Sequence, residues 1–369
     1  MWVDTSMSVA MKSTYRYSLY GLLSSLIAGA ILMAAPLHGG QFIYVANLND
    51  RTISAFQIES NGSLTPLSGS PFEGLRYPSE LAVDRSAKLL FVTDSIEYRI
   101  TVYAIASDGA LRLVGDRKFD GRRPDAVAVD SVVQVVYATV EHEGLISGLQ
   151  IGPGHTLERV PGAPFATGHS PNSIAVDSTA GLLYVTNGDD NTISGYRVAS
   201  NGALTSVARS RFATGSEPAG IAVDSAANLV YVANNGDNTV SGYSISSKGR
   251  LAPVQGSPFA AGSGPSSIAV DSADHFVYVL NSGAFPLPGS VSGYQILTDG
   301  ALVPVPNSPF AAGTLAYSLL VDSTGKFVYV TNAGDSTVSA YQLNSDGSLT
   351  AVPGSPFKTG NYPISVALF

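Results

Sequence analysis

The sequence predicts an all-β fold over residues 41–369: a seven-bladed β-propeller with four antiparallel strands per blade. Three observations carry this. An aromatic-centred segment recurs seven times. Each unit holds four strand candidates separated by turn residues. Finally, residues 363–369 match the strand that the first unit lacks.

The repeats are FIYVANLNDRTISAFQI, LLFVTDSIEYRITVYAI, VVYATVEHEGLISGLQI, LLYVTNGDDNTISGYRV, LVYVANNGDNTVSGYSI, FVYVLNSGAFPLPGSVSGYQI and FVYVTNAGDSTVSAYQL. Their aligned aromatic residues are Tyr44, Phe91, Tyr137, Tyr184, Tyr231, Tyr278 and Tyr329, at intervals of 47, 46, 47, 47, 47 and 51. The last interval is longer because four extra residues, around Phe285-Pro286-Leu287-Pro288, enter one loop. A period in the forties with several strands per unit is the signature of propeller blades.

The unit around Tyr184 shows the strands in order. They are Asn172 to Val176, Leu182 to Asn187, Thr192 to Val198 and Ala203 to Val207, with Gly, Asn and Asp between them as tight hairpins require. One such sheet cannot bury both faces, so neighbours must stack, and a closed ring protects the blades from open edges. The first unit has no innermost strand of its own. Pro363-Ile-Ser-Val-Ala-Leu-Phe369 has the innermost-strand pattern and is expected to complete it.

Much of the repeated polarity reads as structural. Asp84, Asp130, Asp177, Asp224, Asp271 and Asp322 follow the first strand of their units. A carboxylate there accepts from backbone N–H groups of the turn. The Ser-Pro-Phe element, as in Ser70-Pro71-Phe72 and Ser257-Pro258-Phe259, is expected to lead between blades with its Phe wedged in the core. Asn187-Gly-Asp-Asp-Asn191 and Asn234-Asn-Gly-Asp-Asn238 fit hairpin turns better than a calcium loop. No metal site and no cofactor is expected.

Residues 1–40 differ from the rest. Lys12 and Arg16 precede the apolar run Leu19 to Ala35, the layout of a signal peptide or, if uncleaved, of an N-terminal anchor. Ala28-Gly29-Ala30 is a small-x-small cleavage candidate, and a cut before Gln41 is an alternative. The reading is an exported protein, periplasmic, secreted or at the cell surface, touching a membrane only through that segment. The chain has no Cys, which removes disulfides, thiolate metal sites and a Cys nucleophile. A net charge of −8 argues against nucleic acid as partner. A monomer is expected.

The segments Tyr184-Val-Thr-Asn187 and Tyr329-Val-Thr-Asn332 resemble the YVTN repeats of bacterial and archaeal surface propellers. A wider pattern, aromatic-Val-x-Asn, Ser-x-Tyr-x-Ile, Gly-x-Leu and Pro-x-x-Ile-Ala-Val-Asp, spans residues 42–369 and is similar to the seven-bladed lactonase family. That family includes 6-phosphogluconolactonase and muconate-lactonising relatives. The resemblance implies the propeller fold. It also implies, for active members, His, Arg and acidic side chains near the central channel. Here the innermost strands are mostly small, with Ser173, Gly220, Ser266, Ser267, Ser318 and Ser365 as occupants.

In a repeat protein the departures from the repeat are informative. Strand order puts the loops leading into each first strand, and the loops between second and third strands, on one face. Blades two and three depart there. Their leading loops carry Arg76, Tyr77 and Glu80, then Arg122, Arg123 and Asp125. Their hairpins carry Glu97, Tyr98 and Arg99, then Glu141, His142 and Glu143, and His169 leads into blade four. Glu217, Tyr317 and Tyr362 are weaker candidates on the same face. Arginines can clamp a carboxylate or phosphate. His142 can act as general base tuned by Glu141 or Glu143, with Arg123 or Arg122 steadying an oxyanion. Two functions follow. The first is a binding module holding a small molecule, glycan or protein at this loop face. The second is a lactone hydrolase using His142, Arg123 and Glu80.

Overall fold

The computed structural model describes residues 41–119, 122–273, 275–283 and 286–369. Residues 1–40, expected to form an export segment, and Phe285 of the inserted loop lie outside the described residues. Seven antiparallel sheets form a ring, and each contributes four strands from hub to rim. In blade four these are Pro171–Asp177, Leu182–Asn187, Thr192–Val198 and Leu204–Ser206. The predicted outermost strand is one residue too long at each end, since only three residues pair with the third strand.

Burial falls from hub to rim. The second strand, such as Leu182–Asn187, is buried at every position, while the outermost strand buries only its first residue. A strand covered on both faces by neighbouring blades reads as a continuous apolar run rather than an alternating one. That is why the repeats are recognisable at all.

Ring closure is made by Pro363–Leu368, which pairs antiparallel with Phe42–Asn47. Phe42 and Phe369 exchange backbone hydrogen bonds of 3.0 and 2.9 Å, and their rings stack with centroids 6.4 Å apart. The first sheet thus joins strands from both halves of the sequence.

The repeated aromatic residue is fully buried, and its hydroxyl ties each blade to the next. Tyr184 Oη donates to Gly249 O at 2.9 Å, and Tyr329 Oη donates across the closure to Gly62 O at 3.0 Å. The accepting glycines sit in outer hairpins at positive φ, for example +78° at Gly249, where a Cβ would also meet Leu182 at 2.5 Å. Blade two has Phe91 at this position, which has no hydroxyl. The seam between blades two and three therefore lacks the latch.

The Asp after each innermost strand caps its turn, as expected. Asp84 Oδ1 accepts from the N–H groups of Ser86 and Ala87, and Asp177 Oδ1 from those of Thr179 and Ala180. The Asn-rich hairpins are also internally bonded: Asn187 Nδ2 donates to Thr192 Oγ1 and Ser194 Oγ. The Phe of the Ser-Pro-Phe element packs against the core between blades, as expected: Phe259 lies on the cluster shared by blades five and six. Phe259–Ala260 forms a short extra strand paired back onto the third strand of its own blade, and Phe259 is only half-buried. Its ring covers Gly242, whose other side faces the ring of Tyr231, so any side chain at 242 would crowd both.

Candidate functional site

The leading loops and the second hairpins do share one face. Backbone bonds join them directly, as from Ser95 N to Tyr77 O and from Gly188 N to Ser170 O. His155 and His275 lie in turns of the opposite face, between third and fourth strands and between first and second strands respectively.

The acidic departures occur where the innermost strands are irregular. In blades two and three the pairing register shifts between Pro78 and Leu81 and between Pro124 and Val127. Glu80 and Asp125 fall inside these bulges. A bulge re-aims side chains and frees backbone groups. A threonine on the second strand takes up the freed groups: Thr93 Oγ1 accepts from Glu80 N at 2.9 Å and donates to Asp125 O at 3.0 Å. Thr186 does the same between Ser173 and Ala219. The scaffold is common to the ring, whereas the two carboxyls belong to this sector.

Glu80, Asp125 and Glu141 are all buried, at 5%, 4% and 8% exposure. Glu141 opens a single 3-10 turn, Glu141–Glu143, which Gly144 ends in the left-handed region. Arg123 and His142 both approach the same carboxylate oxygen. Arg123 Nη1 lies 3.8 Å and His142 Nε2 3.9 Å from Glu141 Oε2. These are ion-pair separations, longer than hydrogen bonds. The Arg123 side chain is 19% exposed and that of His142 is 72% exposed, so the two form the outer layer over a buried acidic floor.

Burial pushes the Asp125 carboxyl well above the usual carboxylate range; Glu141 and Glu80 push the same way, and Arg123 offsets them in part. Loss of hydration and like charge both disfavour a carboxylate. Asp125 is the carboxyl of this cluster whose ionisation is most disfavoured by its surroundings. Its Oδ2 makes no hydrogen bond among the described residues.

The other candidates are placed around this centre. Arg122 pairs with Glu143 at 2.9 Å and Arg76 with Glu97 at 3.2 Å, both at the rim. Arg99 turns outward to Asp116 on the outermost strand, at 3.3 Å. Tyr98 is 42% exposed at φ +53°. His169 does not reach Glu141; its Nδ1 is 2.8 Å from Asp190 Oδ1, and this bond holds Asp190 below the usual range. Asp190 Oδ2 also accepts from His169 N, as Asp237 does from Ser216 N and Asp335 from Thr314 N. This is a repeated loop clasp on which His169 is an addition.

Tyr77 belongs to a different grouping. It packs against a cluster of Leu48, Ala219, Tyr317, Ala333 and Ile364, joined by Tyr362, that draws on blades one, two, five and seven. The Tyr317 and Tyr362 rings tilt at 57° with centroids 5.8 Å apart, and their hydroxyls are 3.4 Å apart. Burial and the neighbouring hydroxyls hold the Tyr317 phenol far above its usual range. Sequence reasoning gave Tyr317 and Tyr362 little weight. The signal at Tyr317 was an aromatic residue where blades two, four, five and six carry Ser79, Asn172, Ala219 and Ser266. Among the described residues, no group of three or more His, Asp or Glu is placed to hold a metal ion.

The fold is a seven-bladed β-propeller in which one arc departs from the repeat. The family model described as lactonase, 7-bladed β-propeller matches residues 28–129, 139–267 and 255–356. The chain belongs to that family. Among solved structures it is similar to a Bacteroides fragilis protein provisionally named a 6-phosphogluconolactonase. That match has 17% identity and a TM-score of 0.77, and covers 91% of this chain and 99% of the other. The Pseudomonas aeruginosa periplasmic gluconolactonase matches at 16% identity and a TM-score of 0.75, over 89% and 98%. At such identities the likeness is one of fold. No curated protein sequence matches this chain.

Proposed function

We propose that the protein is a lactone hydrolase working at the blade two–three sector of the loop face. The observation that carries this reading is the convergence of Arg123 and the exposed His142 on one buried oxygen of Glu141. Family membership supports it, and the names of the two solved relatives are consistent with it.

The chemistry is ester hydrolysis. His142, whose Nε2 faces Glu141, takes a proton from water on Nδ1, and the water oxygen bonds to the lactone carbonyl carbon. Arg123 stabilises the oxyanion that forms. Collapse breaks the ring C–O bond, and the leaving alkoxide takes the proton back from His142 to give a hydroxy acid. Glu141 orients both groups and stabilises the imidazolium, while Glu80 and Asp125 form the floor behind them. The long separations are ones that a bound substrate can tighten.

The same reading places the hydrolase outside the cytoplasm, on the strength of Lys12, Arg16 and the apolar run Leu19 to Ala35. The test is hydrolysis of a panel of sugar and aliphatic lactones by the secreted or periplasmic fraction of expressing cells. His142→Ala and Arg123→Ala should each lose about 100-fold or more in kcat/KM. A folded protein that hydrolyses no lactone above the spontaneous rate would leave a binding module for a small molecule, glycan or protein.

A further inference from the structure

We infer that this site selects uncharged, hydroxyl-rich lactones and disfavours lactones that carry a phosphate. The inference rests on the hydrolase reading and adds the substrate class. Its first ground is the charge of the sector. Three arginines, Arg76, Arg122 and Arg123, face five carboxyl groups: Glu80, Glu97, Asp125, Glu141 and Glu143.

Each of these arginines is already engaged. Arg76 and Arg122, the two rim cations that could reach a bound ligand, are held by Glu97 at 3.2 Å and Glu143 at 2.9 Å. Arg99 points to the outer edge, and Arg123 faces the acidic floor. A phosphate clamp needs positive charge that neighbouring carboxylates do not neutralise. Here a dianion would have to displace rim carboxylates and approach buried acidic groups. Placing like charge against an unwanted ligand is a standard route to specificity.

The second ground is independent of charge. Beside the acidic arc stand Tyr77, Tyr317 and Tyr362, with Tyr77 and Tyr362 partly exposed and Tyr317 buried behind them. Rings with one polar tip suit the C–H face of a sugar-like ring, while carboxylate oxygens accept from its hydroxyls. Both features favour a neutral polyol.

The experiment compares kcat/KM for a six-membered aldonolactone and for the same lactone bearing a 6-phosphate. Wild type is assayed beside Glu97→Gln, Glu143→Gln and the double variant. The neutral lactone should be preferred by about tenfold or more at low salt, and added salt should narrow the preference. Freeing Arg76 and Arg122 in the double variant should cut the preference several-fold, mainly by lowering KM for the phosphorylated lactone. Equal or better turnover of the phosphorylated lactone by wild type would overturn the inference and leave the hydrolase reading intact. A preference unmoved by salt and by both substitutions would overturn it too. Hydrolysis of neither lactone would remove the hydrolase reading and this inference with it.

Discussion

Asp125 shows how a single residue can carry information that its type does not. At equivalent strand positions other blades place Asn172, Ala219 and Ser266, none of which ionises. Burial and two neighbouring carboxyls raise the Asp125 carboxyl well above the range of an exposed Asp. The unfolded chain releases that proton near about pH 4. Above that pH the folded state binds more protons than the unfolded one, so stability falls as pH rises, until Asp125 ionises in the fold as well. Asp125→Asn removes this dependence. Urea unfolding should find the variant close to wild type at about pH 4 or below, and more stable by on the order of 1 kcal/mol or more at neutral pH. A constant difference between the two across that range would contradict a raised Asp125 carboxyl. The sequence exposed this residue as a departure from the repeat. Its ionisation state was out of reach, because that depends on Glu80, Glu141 and Arg123 gathering around it from three different segments.

At the scale of elements, the hub-to-rim gradient in burial and the Tyr-to-Gly latches organise the ring. Each latch joins the second strand of one blade to the outer hairpin of the next. Tyr184→Phe keeps the ring packed but leaves the buried Gly249 carbonyl without its donor. The expected cost is about 1–3 kcal/mol, read as a lower urea midpoint with an unchanged slope. No loss would mean that the latch contributes packing alone. The recurring aromatic residue was plain in the sequence, but its hydrogen-bond partner was not. Tyr184 and Gly249 are separated by 65 positions, and only blade stacking brings them together. The short strand at Phe259–Ala260 was missed for a related reason. Two residues have no detectable period, and they pair only because the chain turns back at the preceding Ser-Pro step.

For the whole molecule the decisive element is Pro363–Leu368. It fills the hub position of the first blade and packs against its neighbours in blades two and seven. Removing residues 362–369 would expose the inner edge of Phe42–Asn47 and take Tyr362 from the aromatic cluster. Loss of a buried strand at the closure should lower thermal stability of the entire ring by several kcal/mol. Thermal unfolding unchanged by the truncation would show that closure contributes little. The same closure brings Tyr317, Tyr362 and Tyr77 together from blades seven, one and two.

The sequence by itself determined the number of blades, the strands within them, the closing strand and the arc where the repeat is broken. Those features are written in local periodicity and in what neighbouring units share. Tertiary structure decided what that arc contains: a buried acidic floor, an exposed His142 and Arg123 over it, rim arginines already paired, and an aromatic cluster beside them. The physical reason is that burial and electrostatic coupling are properties of space around a side chain. In a ring, that space is filled by residues from blades far apart in the chain.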